Sequence, residues 1–239
     1  MVDQRRERIL AQFAAGPDTG SRRLCEVCAE IVGVTGAGIM IMSGDVPQGS
    51  ACTTDAVSAL IENLQFELGE GPCIDAYHQD RPVLEPDLAV PVTPRWQAFS
   101  GPALEAGVRA IFGFPLEVGA VRLGALNLYC DRPGRLTDDQ HADALVMADV
   151  AARALLMMQA EAPLGRLAEE LEEGADFQYV VHQASGMIAV QLGVSVGQAL
   201  IRLRAYAFGN DRPLVSVAED VVGRTLRFDD RSGQKDPAP

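Results

Sequence analysis

The side chains best suited to chemistry are thinly spread along this chain. Cys25 and Cys28 form a C-x-x-C, a spacing shared by zinc ligands and redox dithiols. No second ligand pair follows at zinc-finger spacing, and Leu24, Cys25, Cys28, Ile31 and Val32 fall on one helical face, so both cysteines are expected in the core. Five cysteines, an odd number in otherwise ordinary sequence, do not suggest a disulfide framework. The three histidines, His78, His141 and His182, fall on separate elements with no ligand spacing between them. The stretch GEGPC ending at Cys73 is glycine-rich but lacks the lysine and spacing of a phosphate loop, and no G-x-S-x-G elbow occurs. The chain is therefore expected not to be an enzyme, and no metal or cofactor is expected.

A second set of residues suits binding better than catalysis. Ala184-Ser185-Gly186 sits mid-helix, where glycine costs roughly 1 kcal/mol against alanine. Such a window either packs tightly on another helix or lets a nucleic-acid loop approach the backbone. Arg202 and Arg204, two apart on the next helix, point in nearly opposite directions and cannot both face one ligand. Tyr206 is either a stacking platform for an unpaired base or a residue at the core edge. Arg212 precedes a third helix, whose positive N-terminus suits phosphate. Arg224 and Arg227, at i and i+3 of that third helix, share a face and could contact the RNA backbone; a solvated face is the alternative.

Composition narrows the setting. Of 239 residues, 48% are apolar, which argues for packed domains over disorder. No apolar run reaches the ~20 residues of a membrane span, and the N-terminus lacks a secretory core. A cytoplasmic protein with no membrane association is expected. The net charge of −13 does not suggest a nucleic-acid binder. The acid is uneven, however: residues 176–239 carry seven basic and seven acidic groups.

Elements to position these residues follow from periodicity. Helices are expected over about 4–14 and 21–32, then a hairpin of GAGIMIMS and QGSACTTD with GDVPQG as its turn. A helix with Val57, Leu60, Ile61, Leu64 and Leu68 on one face comes next. A short helix after GEGP and an edge strand in RPVLEPDL precede a helix in TPRWQAFSGPALEAG, interrupted near Gly101-Pro102. Two strands around a Val-Gly-Ala turn and a long helix capped by Thr137 complete an α+β domain, an antiparallel sheet flanked by helices, over 1–160. Leu164, Leu167 and Leu171 suggest a helical linker over 161–175. Residues 176–228 read as an all-α three-helix bundle, with Gly193 closing its first helix and Ser195 and Gln198 as a capping box for the second. Residues 229–239 are expected to be a disordered tail.

Particular stretches carry two resemblances. GSACTTD, LQFELGEGPCIDAYHQDRPVLEPDL, RWQAF and VRAIFGFPLEVGAVRLGALNLY resemble the GAF sensory domains of actinobacterial regulators. VVHQASGMIAVQLGVSVGQALIRLRAYAFGNDRPLVSVAEDVV resembles the ANTAR domain, through Ala184 and Gly186, Ala199 with Leu203-Arg204, and Ala218. The resemblance implies a sensor-controlled homodimer that binds paired RNA hairpins in a nascent leader and promotes transcription antitermination. It implies RNA contacts at the Ala184 and Gly186 window, with Ser185 between them, and at Arg204; Tyr206 and Arg212 join them as candidates through their own chemistry. Ser185 stands where many ANTAR domains carry Lys or Arg, so one phosphate-seeking charge is missing. In the GAF half a small-molecule ligand would be lined by Met42, with Met40 two residues before it, Cys73, Phe112 and Phe114. His78 is a haem-ligand candidate there and Cys73 a candidate for bilin attachment or oxidation sensing; core packing is the alternative for each. The other reading of the whole chain is a dimeric protein-interaction module that binds no RNA.

Overall fold

A computed structural model describes residues 2–14, 21–91, 93–161, 176–177 and 179–228. The linker helix expected around Leu164–Leu171 and the expected tail lie outside the described residues. The chain divides into two compact units, 1–177 and 178–239.

The first unit is built on an antiparallel sheet in the order β3-β4-β5-β1-β2-β6. Its strands are β1 (Gly36–Ser43), β2 (Val46–Thr53), β3 (Val83–Glu85), β4 (Ala110–Val118), β5 (Val121–Cys130) and β6 (Asp176–Phe177). Helices α1 (Val2–Ala14), α2 (Ser21–Val32) and α6 (Asp138–Glu161) belong to one layer, and α3 (Ala56–Leu68), α4 (Pro72–Gln79) and α5 (Gln97–Glu105) to the other. Successive side chains alternate between the faces. Ile39, Phe112, Phe114, Leu116, Leu126 and Leu128 therefore pack with α2 and α6. Ile111, Ala125 and Tyr129 pack with Ile61 of α3, Cys73 of α4 and Phe99 of α5.

Several of the expected boundaries move, and Asp176-Phe177, expected to open the three-helix bundle, instead pair with β2 as β6. The β1–β2 turn is only Gly44-Asp45, because Gly44 adopts a left-handed φ of 56° and Ser43 pairs directly with Val46. Pro47 and Gln48 thus belong to β2 rather than to the turn. Helix α5 runs through Pro102 without the expected interruption, and the Pro102 carbonyl accepts the Ala106 N–H at 3.0 Å. The Thr137 cap of α6 is present, with Gln140 N donating to Thr137 Oγ1 at 3.2 Å.

The cysteines differ more sharply from expectation. Cys25 is buried as expected, but it is disulfide-bonded to Cys52 of β2, 27 residues away. The pairing is across space, which C-x-x-C spacing does not reveal. Cys28 remains a buried thiol, and desolvation pushes it up to about 12, so it is inert at neutral pH.

Side-chain polar groups fix α3 and α4 on the sheet. Asp55 caps α3 by accepting from Ser58 N at 2.7 Å, and its other oxygen accepts the Tyr129 hydroxyl at 2.7 Å. Gln65 Oε1 accepts the Cys73 N–H at 2.8 Å, in the first turn of α4. Gly71 is required there: its φ is 137°, and a Cβ would lie 2.6 Å from Gln65. Glu70 Oε1 accepts from Ala98 and Phe99 at 2.7 and 2.9 Å and so caps α5. Glu62 of α3 is packed against Gly38 of β1, where a Cβ would meet its carboxyl at 2.7 Å. Both Glu62 oxygens, Gln65 Nε2 and both amide atoms of Asn127 are buried without a hydrogen bond of normal geometry, although Asn127 lies close enough to Glu62 to interact with its carboxyl. Burial raises the Glu62 carboxyl to about 8, with Asn127 pulling it part of the way back.

The second unit contains α7 (Tyr179–Leu192), α8 (Val196–Gly209) and α9 (Leu214–Val222). Gly193 closes α7 with φ 64°, and the expected Ser195–Gln198 capping box opens α8. Helix α9 ends at Val222, six residues earlier than the sequence suggests. Gly223 N bonds back to Glu219 O, and Arg224 then takes a left-handed φ of 62°. The following turn brings Phe228 back to α7, where its N–H donates to Gln191 Oε1 at 2.9 Å. Val181, Ala184, Ile188, Ala199, Leu203, Val217, Ala218 and Val221 form a fully buried core. Among the described residues no single helix is long and apolar enough to cross a membrane; α7 and α8 satisfy that composition only as a pair bent by 105°.

Two measurements test these anchors. Thiol reductant should lower the free energy of chemical unfolding by about 3.5 kcal/mol through loss of loop constraint, and Cys25→Ala should no longer respond to it. Superimposable unfolding curves with and without reductant would remove the disulfide from the stability of the fold. For Glu62, the folded carboxyl holds its proton to about pH 8, whereas the unfolded one releases it near its ordinary 4.5. Stability from this group is thus complete below about pH 4.5 and is lost as pH rises through 8. Glu62→Gln should match the parent in thermal midpoint at pH 5 and exceed it at pH 8; parallel midpoints across that range would contradict the assignment.

Candidate functional site

The residues expected to line a ligand pocket do not meet. Period-two alternation places Phe112 and Phe114 with α2 and α6, whereas Cys73 packs on the opposite face with α3 and α5. Met42 shares its strand face with Gly38, whose neighbour is Glu62, and so belongs to the Cys73 side. All four are buried. Cys73 is also no exposed sensor thiol: desolvation, then the nearby Glu62 carboxyl, raises it well above its ordinary value. That contradicts both the bilin and oxidation readings, which need an accessible thiolate. His78 lies at the surface, 3.7 Å from Asp45 and edge-on to Tyr77, so haem ligation from within a pocket is also contradicted. No group of three or more His, Cys, Asp or Glu able to hold a metal occurs among the described residues.

Instead, a cavity of about 730 Å³ opens at the β3 edge of the sheet. Its walls come from β3, the segment leading to α5 and the entrance to α6. Arg81, Glu85, Arg95, Arg135 and His141 line it, over Phe112. Phe112 is thus the single residue of the expected ligand set found in it. Arg95 lies over the Trp96 ring at 4.5 Å, and Trp96 Nε1 donates to Asp75 at 3.0 Å. Its guanidinium stands 3.6 Å from Asp75 and 3.8 Å from Glu85, beyond hydrogen-bond contact. Sequence reasoning missed these arginines because they are far apart in the chain and converge only through the fold. The two prolines flanking β3, which mark it as an edge, were the available signal.

In the second unit the six residues expected to touch RNA separate into interior and surface. Ala184 and Ser185 are fully buried, and Ser185 Oγ donates to Val181 O at 2.8 Å. Neither side chain can reach RNA, and Ser185 is part of the bundle interior. Tyr206 meets Phe228 edge-on, with ring centroids 5.4 Å apart, as the core-edge alternative holds. Arg212 does not present a free charge at α9: it donates to Ser216 at 3.0 Å and to Asp220 at 2.8 Å. That pairing and the Thr225 hydroxyl hold the Asp220 carboxyl below its ordinary value. Arg204 is half-buried, and desolvation lowers its guanidinium to about 10. Gly186 is half-buried, like Arg204, Tyr206 and Arg212, and a Cβ there would meet nothing within 4 Å.

Gly186 belongs to a groove of about 580 Å³. Met187 and Val190 of α7 line one part of it, and Arg224 and Arg227 from the turn after α9 line another. The two arginines are exposed, but they share no helix face, since α9 has already ended. They reach one groove because the left-handed turn at Arg224 returns the chain toward α7.

Comparison with known proteins addresses the first unit. The family model described as GAF domain matches residues 14–155. Among solved structures, the GAF domain from a phosphoenolpyruvate-protein phosphotransferase of Coxiella burnetii is 13% identical, with a TM-score of 0.49, over 67% of this chain and 95% of that one. A domain of a sensor histidine kinase protein from Sinorhizobium meliloti is 17% identical, with a TM-score of 0.48, over 58% and 90%. The GAF domain/HD domain protein from Geobacter sulfurreducens is 14% identical, with a TM-score of 0.46, over 59% and 93%. No curated protein matches the chain. The family match spans more than half of the 239 residues, from the end of α1 into α6, and takes in every strand that pairs with β1, β4 or β5: the chain belongs to the GAF domain family.

Proposed function

We propose that this protein is a signal-responsive regulator whose GAF unit controls an RNA-binding C-terminal unit of the ANTAR type. The chain acts as a binder and not as an enzyme. It recognises paired hairpins of a nascent leader RNA as a homodimer and promotes antitermination. The observation that carries this reading is the groove on α7, which combines an open glycine with two exposed arginines. Gly186 lets a loop approach the helix backbone, while Arg224 and Arg227 supply charge for phosphate. Ala184, Ala199 and Ala218, the alanines of the resemblance, are all fully buried and hold the helices close behind that surface. Ser185 and Arg212 contribute through hydrogen bonds within the unit.

A second reading, a docking or dimerisation element without RNA, draws on Val190, Ile201 and Phe208. These apolar side chains are 85%, 63% and 72% exposed. Such exposure suits a protein contact, and also suits the dimer that the first reading contains.

The test is fluorescence anisotropy with a leader RNA of two adjacent short hairpins and a scrambled-loop control. Loop-dependent binding that weakens with salt is expected. Gly186→Leu should weaken it at least about tenfold by filling the groove, with no loss of thermal midpoint, because the added carbons meet open space. Replacing Arg224 and Arg227 by Ala should flatten the salt slope by about one to two. Unchanged binding in both variants would move the RNA site elsewhere. No binding by the parent at low salt, with dimer present, would leave the protein-interaction reading.

A further inference from the structure

The β3-edge cavity has features that the regulator reading does not use. Three arginines converge on it in a protein of net charge −13. Arg135 makes no ion pair among the described residues, and Arg81 donates to the neutral amide of Gln79 at 2.7 Å. Neither guanidinium has a described carboxylate within 4 Å, although Asp138 lines the same cavity. Arg95 is held in place by the Trp96 ring, yet its Nε is buried without a hydrogen-bond partner. Glu85, only 2% exposed, supplies the opposite requirement: its Oε1 is buried and accepts nothing. Unsatisfied buried donors and acceptors are costly unless a partner completes them.

One cavity wall thus asks for an anion, and Glu85 asks for an N–H donor. Metal ions and simple anions each meet only one of these demands. The volume of about 730 Å³ admits a small metabolite. We propose that this cavity binds an acidic α-amino acid zwitterion, with its carboxylates on Arg81, Arg95 and Arg135 and its ammonium on Glu85. The forked guanidinium matches a carboxylate through two parallel hydrogen bonds, and the ammonium satisfies the orphaned oxygen. Phe112 supplies apolar surface beneath. The inference deepens the sensor half of the proposed function by naming its ligand class, and rests on that reading for its biological purpose alone.

Trp96 is the single tryptophan in the sequence and lies directly under Arg95, so its fluorescence reports on the site. The full chain would be titrated with L-glutamate, with glutarate, which lacks the amine, and with inorganic phosphate. L-Glutamate should give a saturable change, about tenfold tighter than glutarate and tighter still than phosphate. Arg135→Ala and Arg81→Ala, both at exposed positions, should each weaken it about tenfold. Glu85→Gln should bring L-glutamate and glutarate level. Absence of a saturable change with L-glutamate, confirmed by an unmoved thermal midpoint, overturns the proposal. So does binding that is indifferent to Arg135→Ala, or glutarate binding as tightly as L-glutamate. The titration contains no RNA, so its failure leaves the RNA reading intact, and failure of the hairpin assay leaves this site intact.

Discussion

The alternation of side chains across β1, β4 and β5 is the constraint on which the first unit depends. It sorts every strand residue to one of two helical layers, and it cannot be relaxed locally because both faces are buried. Gly113 shows how tightly a helical layer closes on the sheet, and Gly124 how tightly neighbouring strands do. A Cβ at Gly113 would lie 2.4 Å from the Pro72 carbonyl of α4, and one at Gly124 would lie 1.9 Å from the Met40 carbonyl of β1. The sheet is therefore a partition. Groups on its two sides communicate through the strand edges or through displacement of whole strands.

That partition explains where binding chemistry resides. Under α3 and α4 the space is filled: Glu62 rests on Gly38, and Gln65 rests on Gly71. Their unpaired polar atoms mark tight packing with an energetic cost, relieved partly by a proton on Glu62. The open volume lies at the β3 edge, where a three-residue strand and proline-rich flanks leave the sheet uncovered. The second unit divides its small residues in a similar way. Ala184, Ala199 and Ala218 serve close helix packing, and Gly186 remains at the surface.

Helical and strand periodicity make most elements readable. The capping boxes, Gly193, the edge position of β3 and the pairing of β4 with β5 all express local chemistry, and local chemistry is what a sequence carries. The limits are equally physical. Helix α9 ends at Val222 although Arg224, Leu226 and Phe228 extend an apolar and basic pattern; the left-handed Arg224 is set by the turn returning to α7. Phe112 and Phe114 do share one strand face, but which helices cover that face depends on chain topology. Cys25 and Cys52, like Arg81, Arg95 and Arg135, become neighbours only when distant segments pack.

The Cys25–Cys52 bond also bears on how the molecule opens. It joins α2 covalently to β2, and the intervening chain contains β1, which pairs with both β2 and β5. Helix α2 therefore cannot swing away from the sheet without carrying the hairpin along. The segment from α2 through β2 becomes one cooperative block of exchange-protected amides. Helix α1 has no such tether: it is held by Ile9 in the core and by the ion pairs of Arg5, Arg6 and Arg8 with Asp139, Asp143 and Asp149 on α6. Fluctuations that expose the α6 surface would begin at α1, at the cost of undocking Ile9 and these ion pairs, while the disulfide-closed block stays intact.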